Sequence, residues 1–112
     1  MLKQSLLIVF FAFIVYSLYT SRSKEPLLDI HKATEEEKTM ALKWPIWTKE
    51  KSTFPYSYSQ TEQFYVITGE VTLTTAHNKT YSFSAGDFVT IPKGIECQWN
   101  VKKDIKKHYN FK

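Results

Sequence analysis

From Trp44 onward this sequence is a series of short runs of aromatic and β-branched residues, several of them bounded by glycine, proline or asparagine turn signals. The runs include Phe64-Tyr65-Val66-Ile67, Phe88-Val89-Thr90-Ile91, Ile95 to Val101 and Asp104 to Phe111. They are too short for paired helices, and Glu70-Val71-Thr72-Leu73-Thr74 alternates polar and apolar with the period of a strand. Many short strands at close spacing predict an all-β sandwich or small barrel. The glycines Gly69, Gly86 and Gly94 fall between runs, where a positive φ suits a tight turn. Gly86-Asp87 is expected to open a strand over Asp87 to Ile91, and Pro92-Lys93-Gly94 to turn into the next.

The first 26 residues differ in character. Leu6 to Tyr16 is an unbroken apolar run behind Lys3 and ahead of Arg22 and Lys24. As a helix, residues 5–20 would rise roughly 24 Å at about 1.5 Å per residue. With snorkelling by Lys3 and Arg22 that length approaches the roughly 30 Å of a bilayer core. A hydrophobic leader helix is therefore expected, as a signal anchor or a signal peptide, with residues 1–26 forming leader and tether and 27–112 the folded domain. The lack of a small-residue cleavage site before Ser23 favours the anchor over a cleaved signal. Localisation is accordingly expected to be membrane-anchored through a single N-terminal span, or exported. Lys3 and the amino terminus balance Arg22 and Lys24, so the side of the membrane stays open. Asn78-Lys79-Thr80 is a glycosylation sequon that matters only in a secretory lumen.

Within the domain, Leu27 to Ile30 reads as a first strand. Thr34-Glu35-Glu36-Glu37 is a capping-box pattern, predicting one short helix from Thr34 to Leu42. Ala76-His77-Asn78-Lys79 reads as a turn. Near the end Lys102, Lys103, Lys106 and Lys107 interleave with Val101, Ile105 and Tyr109, which predicts a strand with one wet, basic face. A formal charge of +4 and the absence of any RNA or DNA motif argue against a nucleic-acid partner. The lone Cys97 excludes an intramolecular disulfide and any two-cysteine metal motif.

One spacing carries more than local structure. Glu62, six residues and Gly69 are followed by Gly86, five residues, Pro92, one residue and Gly94. With these motifs the sequence resembles the cupin superfamily, whose fold is a double-stranded β-helix or jelly-roll barrel. The stretches Lys43-Trp44-Pro45-Ile46-Trp47, Phe54-Pro55-Tyr56-Ser57-Tyr58, Cys97-Gln98-Trp99 and Lys107-His108-Tyr109 are similar to the small branch containing the cupin domain of (S)-ureidoglycine aminohydrolase. The resemblance implies a barrel-mouth metal site built from two histidines and a glutamate of the first motif and a histidine of the second. Here the glutamate falls on Glu62 and the second-motif histidine on Cys97. The first-motif histidines fall on Tyr56 and Tyr58, or on Pro55 and Ser57 with a longer gap.

Few metal ligands remain at these positions, with Glu62 and Cys97 as weak candidates, so no metal cofactor is expected. A divalent, manganese-like ion is the alternative that the resemblance implies. His31, His77 and His108 are further ligand candidates, each with a competing reading as a solvated or packed side chain. Strand parity puts Glu62, Phe64 and Val66 on one face and Ile95, Cys97 and Trp99 on another. Tyr56, Tyr58, Glu62, Phe64, Cys97 and Trp99 are thus the expected pocket, with Glu62 and Cys97 the candidate catalytic groups. Glu62 could instead be a structural hydrogen-bond partner of Tyr56 or Tyr58, and Cys97 a packed apolar side chain. The expected function is small-molecule binding in the barrel mouth. The alternatives are a metal-dependent, aminohydrolase-like enzyme acting on a ureide, and a structural subunit of a membrane complex. The resemblance also implies a homodimer through edge strands.

Overall fold

The computed structural model describes residues 25–112. The leader helix expected over residues 5–20 lies outside the described residues, as does most of the tether. Among the described residues no helix is long and apolar enough to cross a membrane.

The elements run β1 (Asp29–Lys32), α1 (Glu35–Ala41), β2 (Ile46–Lys49), β3 (Ser52–Ser57), β4 (Glu62–Thr75), β5 (Thr80–Ser84), β6 (Asp87–Ile91) and β7 (Glu96–Phe111). Every strand pairing is antiparallel. Strands β4 and β7 form the spine, paired from Glu62 opposite Phe111 to Thr75 opposite Cys97. The first half of β4 also pairs with β6, which carries β1, and its second half pairs with β5. Along β7 the first half takes β3 and the second half β2. The sheet curls into the expected all-β jelly roll, with Phe64, Val66, Leu73, Val89, Ile91 and Trp99 at the centre of its core.

Helix α1 begins where the capping box places it. The Thr34 hydroxyl accepts from the Glu37 N–H at 3.1 Å, and the Glu37 carboxylate accepts from the Thr34 N–H at 2.9 Å. Two amide donors that would otherwise lack partners are thereby satisfied. Strand β1 starts at Asp29 rather than Leu27, because its pairing with β6 begins opposite Thr90. Leu27 stays exposed.

Two expectations are corrected. The segments Ile95 to Val101 and Asp104 to Phe111 are one continuous strand from Glu96, since β4 holds a partner along its whole length. Gly69 does not close a turn between strands; it lies inside β4 with φ +107°. The register with β7 shifts between Val66 and Val71, so the buried positions switch from Glu62, Phe64 and Val66 to Val71, Leu73 and Thr75. A bulge changes which parity faces the core and bends the strand. This one keeps both halves of a 14-residue strand facing the same interior as the sheet curls. Gly86 and Gly94 do sit in turns with positive φ.

Gly69 is irreplaceable for a second reason. A Cβ there would lie 2.6 Å from the Asp104 carbonyl oxygen and 2.7 Å from the Ile105 Cα, whereas a Cβ at Gly86 meets nothing within 4 Å. In urea unfolding, Gly69→Ala is expected to cost about 3 kcal/mol, combining φ strain with backbone overlap, and Gly86→Ala about 1 kcal/mol from strain alone. Equal losses at the two positions would contradict the close packing of β4 on β7.

Candidate functional site

Strands β2, β3, β4 and β7 enclose a half-open cavity of about 180 Å³. Its walls are Trp47 of β2, Phe54 and Tyr56 of β3, Tyr58, Trp99 of β7, and Tyr109 with Phe111 at the rim. The rings brace one another. Trp99 stacks on Phe54 at 5.8 Å and meets Trp47 edge-on at 6.0 Å, and Tyr56 and Tyr58 lie 4.5 Å apart. Edge-on and offset contacts of this kind each add roughly 0.5–1.5 kcal/mol beyond area burial. The Trp99 indole N–H donates to the Tyr58 hydroxyl at 3.2 Å. Burial, with the Glu62 carboxylate nearby, pushes ionisation of Tyr58 far above the usual phenol range. Both tyrosines are therefore neutral hydrogen-bonding groups at physiological pH.

At the floor of this cavity lies an ion pair. The Lys107 ammonium donates to the Glu62 carboxylate at 2.8 Å, and the two residues are 4% and 3% exposed. The Lys107 Nζ stands 4.1 Å from the centre of the Phe64 ring, 4.6 Å from Trp99 and 4.7 Å from Trp47. Aromatic faces attract a cation most strongly when water is excluded. Burial pulls the Lys107 pKa below the ordinary lysine value, while Glu62 works in the opposite direction.

Of the residues picked from the sequence, Tyr56, Tyr58, Glu62 and Trp99 line this one cavity. Phe64 lies beneath it as the nearest ring to Lys107. Cys97 is placed otherwise. It is buried beside Tyr56, its thiol donating to the Tyr56 carbonyl at 3.5 Å, and it is not one of the cavity walls. Burial, with Glu25 and Glu62 adding negative charge, pushes the thiol pKa up to about 12. A protonated thiol is a poor nucleophile and a poor metal ligand.

Lys107 is the ion-pair partner of Glu62, and Tyr58 also shares a side-chain hydrogen bond with that carboxylate. Lys107, expected on the wet face of a basic strand, is instead buried against Glu62. Parity alone does not single it out: Lys103 shares the parity of Val101, Ile105 and Lys107 yet is exposed, because the register with β4 shifts beside it, between Glu70 and Val71. Lys102, Lys103 and Lys106 are the exposed ones. The three histidines are spoken for elsewhere. His108 Nδ1–H donates to the Trp44 carbonyl at 2.9 Å. His31 bridges Glu37 at 2.9 Å and Asp29 at 2.7 Å, and the Glu37 bond leads in raising its pKa. His77 faces Glu25 at 3.9 Å.

A divalent metal of the kind the sequence resemblance implies does not fit these residues. Among the described residues no three His, Cys, Asp or Glu side chains gather for an ion. The Glu62 carboxylate, which would be the first ligand, already faces an ammonium. The remaining positions offer neutral phenols and a protonated thiol, which cannot balance two positive charges.

An antiparallel jelly roll with an aromatic mouth defines the protein as a cupin. The family model of the EutQ-like cupin domain matches residues 36–109, and the chain belongs to that family. A DUF861 family protein from Thermotoga maritima is 41% identical, with a TM-score of 0.74, and the match covers 77% of this chain and 100% of that one. The EutQ protein of Clostridium difficile is 26% identical with a TM-score of 0.54, covering 59% of this chain and 52% of that one. A putative ethanolamine utilization protein of Salmonella typhimurium shares the fold at 18% identity and a TM-score of 0.54, covering 77% of this chain and 69% of that one. No curated protein matches the chain.

The placement of Cys97 gives a direct expectation. Iodoacetamide at pH 8 is expected to leave Cys97 of the folded protein unmodified and to alkylate it on unfolding in urea, with the folded-state rate rising as pH approaches about 12. Rapid alkylation of the folded protein at pH 7 would place the thiol in an activating setting instead.

Proposed function

We propose that this cupin binds a small planar molecule in its barrel mouth, gripped by aromatic side chains and oriented by an ionic floor. The observation that carries the reading is the cavity of about 180 Å³ with the Glu62–Lys107 pair at its base. Apolar walls with a few convergent polar groups are the usual make-up of small-molecule sites. Trp47 and Tyr109 offer faces for stacking. Glu62 offers an acceptor and Lys107 a donor, so a ligand carrying both a donor and an acceptor on one edge, such as an amide, satisfies both. The floor is neutral overall and favours neutral or zwitterionic ligands over multiply charged ones.

The metal-dependent ureide aminohydrolase implied by sequence resemblance needs a divalent centre, and the donor set of this mouth does not suit one. Binding is therefore the reading adopted. Attachment to a membrane through residues 5–20 is a separate proposal, supported by the apolar run from Leu6 to Tyr16 and its basic flanks.

The binding test uses the two tryptophans in the wall. Benzamide, urea and benzoate are titrated while the indole N–H signals of Trp47 and Trp99 are followed by NMR. Benzamide is expected to shift both signals saturably and to lose about tenfold in affinity in Trp47→Ala, the loss of roughly one stacking contact. If none of the three moves either indole signal, the mouth is not a binding site for this class of molecule.

A further inference from the structure

We propose that Lys107 is a carbonyl-trapping amine: its Nζ, seated among Phe64, Trp99 and Trp47 and 2.8 Å from the Glu62 carboxylate, forms an imine with a small aldehyde or ketone admitted to the barrel mouth. This rests on the cavity being a binding site. It adds a covalent chemistry that packing does not require.

The starting observation is a cost without a structural return. A buried ion pair adds little net stability over well-packed apolar residues of similar volume, because two charges must be stripped of water. Yet this one is fully built, sits at the base of a half-open cavity, and involves the one lysine among the basic residues at the chain end that is turned inward. An amine desolvated among aromatic rings beside a proton acceptor is the usual setting of an activated lysine nucleophile. Burial works in the same direction by weakening the hold of Lys107 on its proton, and outweighs the Glu62 carboxylate, which strengthens it.

The step balances with the groups present. Lys107 passes one proton to the Glu62 carboxylate. The free nitrogen lone pair then forms a C–N bond at the carbonyl carbon, and the carbonyl π pair moves onto oxygen. That oxygen takes the proton from Glu62. A second proton leaves nitrogen and reaches the same oxygen through the same carboxyl as the C–O bond breaks with its electron pair. Water departs, and nitrogen and carbon share a double bond. The product is a protonated imine with Glu62 again ionised, and no oxidant, reductant or metal is consumed. The charge ends where it began. Three ring faces and one carboxylate that hold an ammonium also hold an iminium at the same atom, so the cage that stabilises the resting state stabilises the product. Such an adduct is the entry point for carrying a carbonyl compound or for activating its neighbouring C–H bond.

The test uses the full chain, benzaldehyde as probe and cyanoborohydride to reduce any imine at pH 6.5. Ordinary lysines are almost wholly protonated there, so a lysine with a lowered pKa gains about tenfold in labelling rate for each unit of lowering. Peptide mapping of the wild-type protein is expected to find the benzyl group first on Lys107, at least about tenfold ahead of Lys102, Lys103 and Lys106. Lys107→Arg is expected to abolish that labelling while surface labelling is unchanged. The wild-type map needs no variant, so a misfolded mutant leaves the test intact. Benzyl alcohol, which has no carbonyl, is titrated in parallel against the Trp47 and Trp99 indole signals. Saturable shifts with Lys107 unlabelled would overturn the imine and leave the binding site standing. Absence of both shifts and Lys107 labelling would overturn both.

Discussion

A carboxylate and an ammonium 2.8 Å apart, both almost wholly buried, constrain everything around the mouth of this barrel. Neither charge is tolerable there alone, since an unpaired buried ion costs several kcal/mol. Glu62 must therefore sit at the first position of β4 and Lys107 on β7 opposite Val66, in a register that lets the long lysine side chain reach back to the carboxylate. The rings of Phe64, Trp99 and Trp47 close on the ammonium because a cation over an aromatic face recovers part of what it loses in leaving water. The aromatic wall and the ion pair are one construction. It occupies the mouth where the sequence resemblance implies histidines around a metal, and it brings its own positive charge from Lys107.

The pair depends in turn on the bulge at Gly69. Without the shift between Val66 and Val71, a strand that buries Glu62, Phe64 and Val66 would turn Val71, Leu73 and Thr75 outward. The positive φ of Gly69 and the bare contact of its Cα with Asp104 and Ile105 allow β4 to stay on β7 through the change. Ile105 is two residues from Lys107 on the same face, so the bulge and the ion pair are set by one stretch of β7. Function at the mouth and curvature of the sheet are thus linked through a few adjacent backbone positions.

Much of this was legible in the residues. The strand over Asp87 to Ile91, the capping box at Thr34, the turn at Ala76 to Lys79 and the jelly-roll architecture all follow from local patterns that tertiary packing did not override. Parity alone put Glu62 with Phe64 and Trp99 with Cys97 on buried faces. The rest was hidden for physical reasons. Gly69 has the same one-residue signature whether it closes a turn or bulges a strand, and only the partner strand decides. Lys107 stands among four other lysines near the chain end, where solvated charge is the usual outcome. Lys103 has the same parity and is exposed, so only the register with β4, which seats Lys107 opposite Val66 and within reach of Glu62, turns Lys107 inward. Cys97 falls where the sequence resemblance implies a metal-binding histidine, but its thiol turns to the Tyr56 carbonyl because β3 pairs there residue for residue.

The central claim is that Glu62 and Lys107 act as a single buried unit, and a double-mutant cycle measures that most directly. Glu62→Gln, Lys107→Met and the double variant are unfolded in urea beside the wild-type protein. Each single change is predicted to cost about 3–5 kcal/mol, because it strands the opposite charge, and the double to cost at least about 2 kcal/mol less than the two together. Losses that add to within about 0.5 kcal/mol would mean that the two side chains do not depend on each other, and would contradict the account.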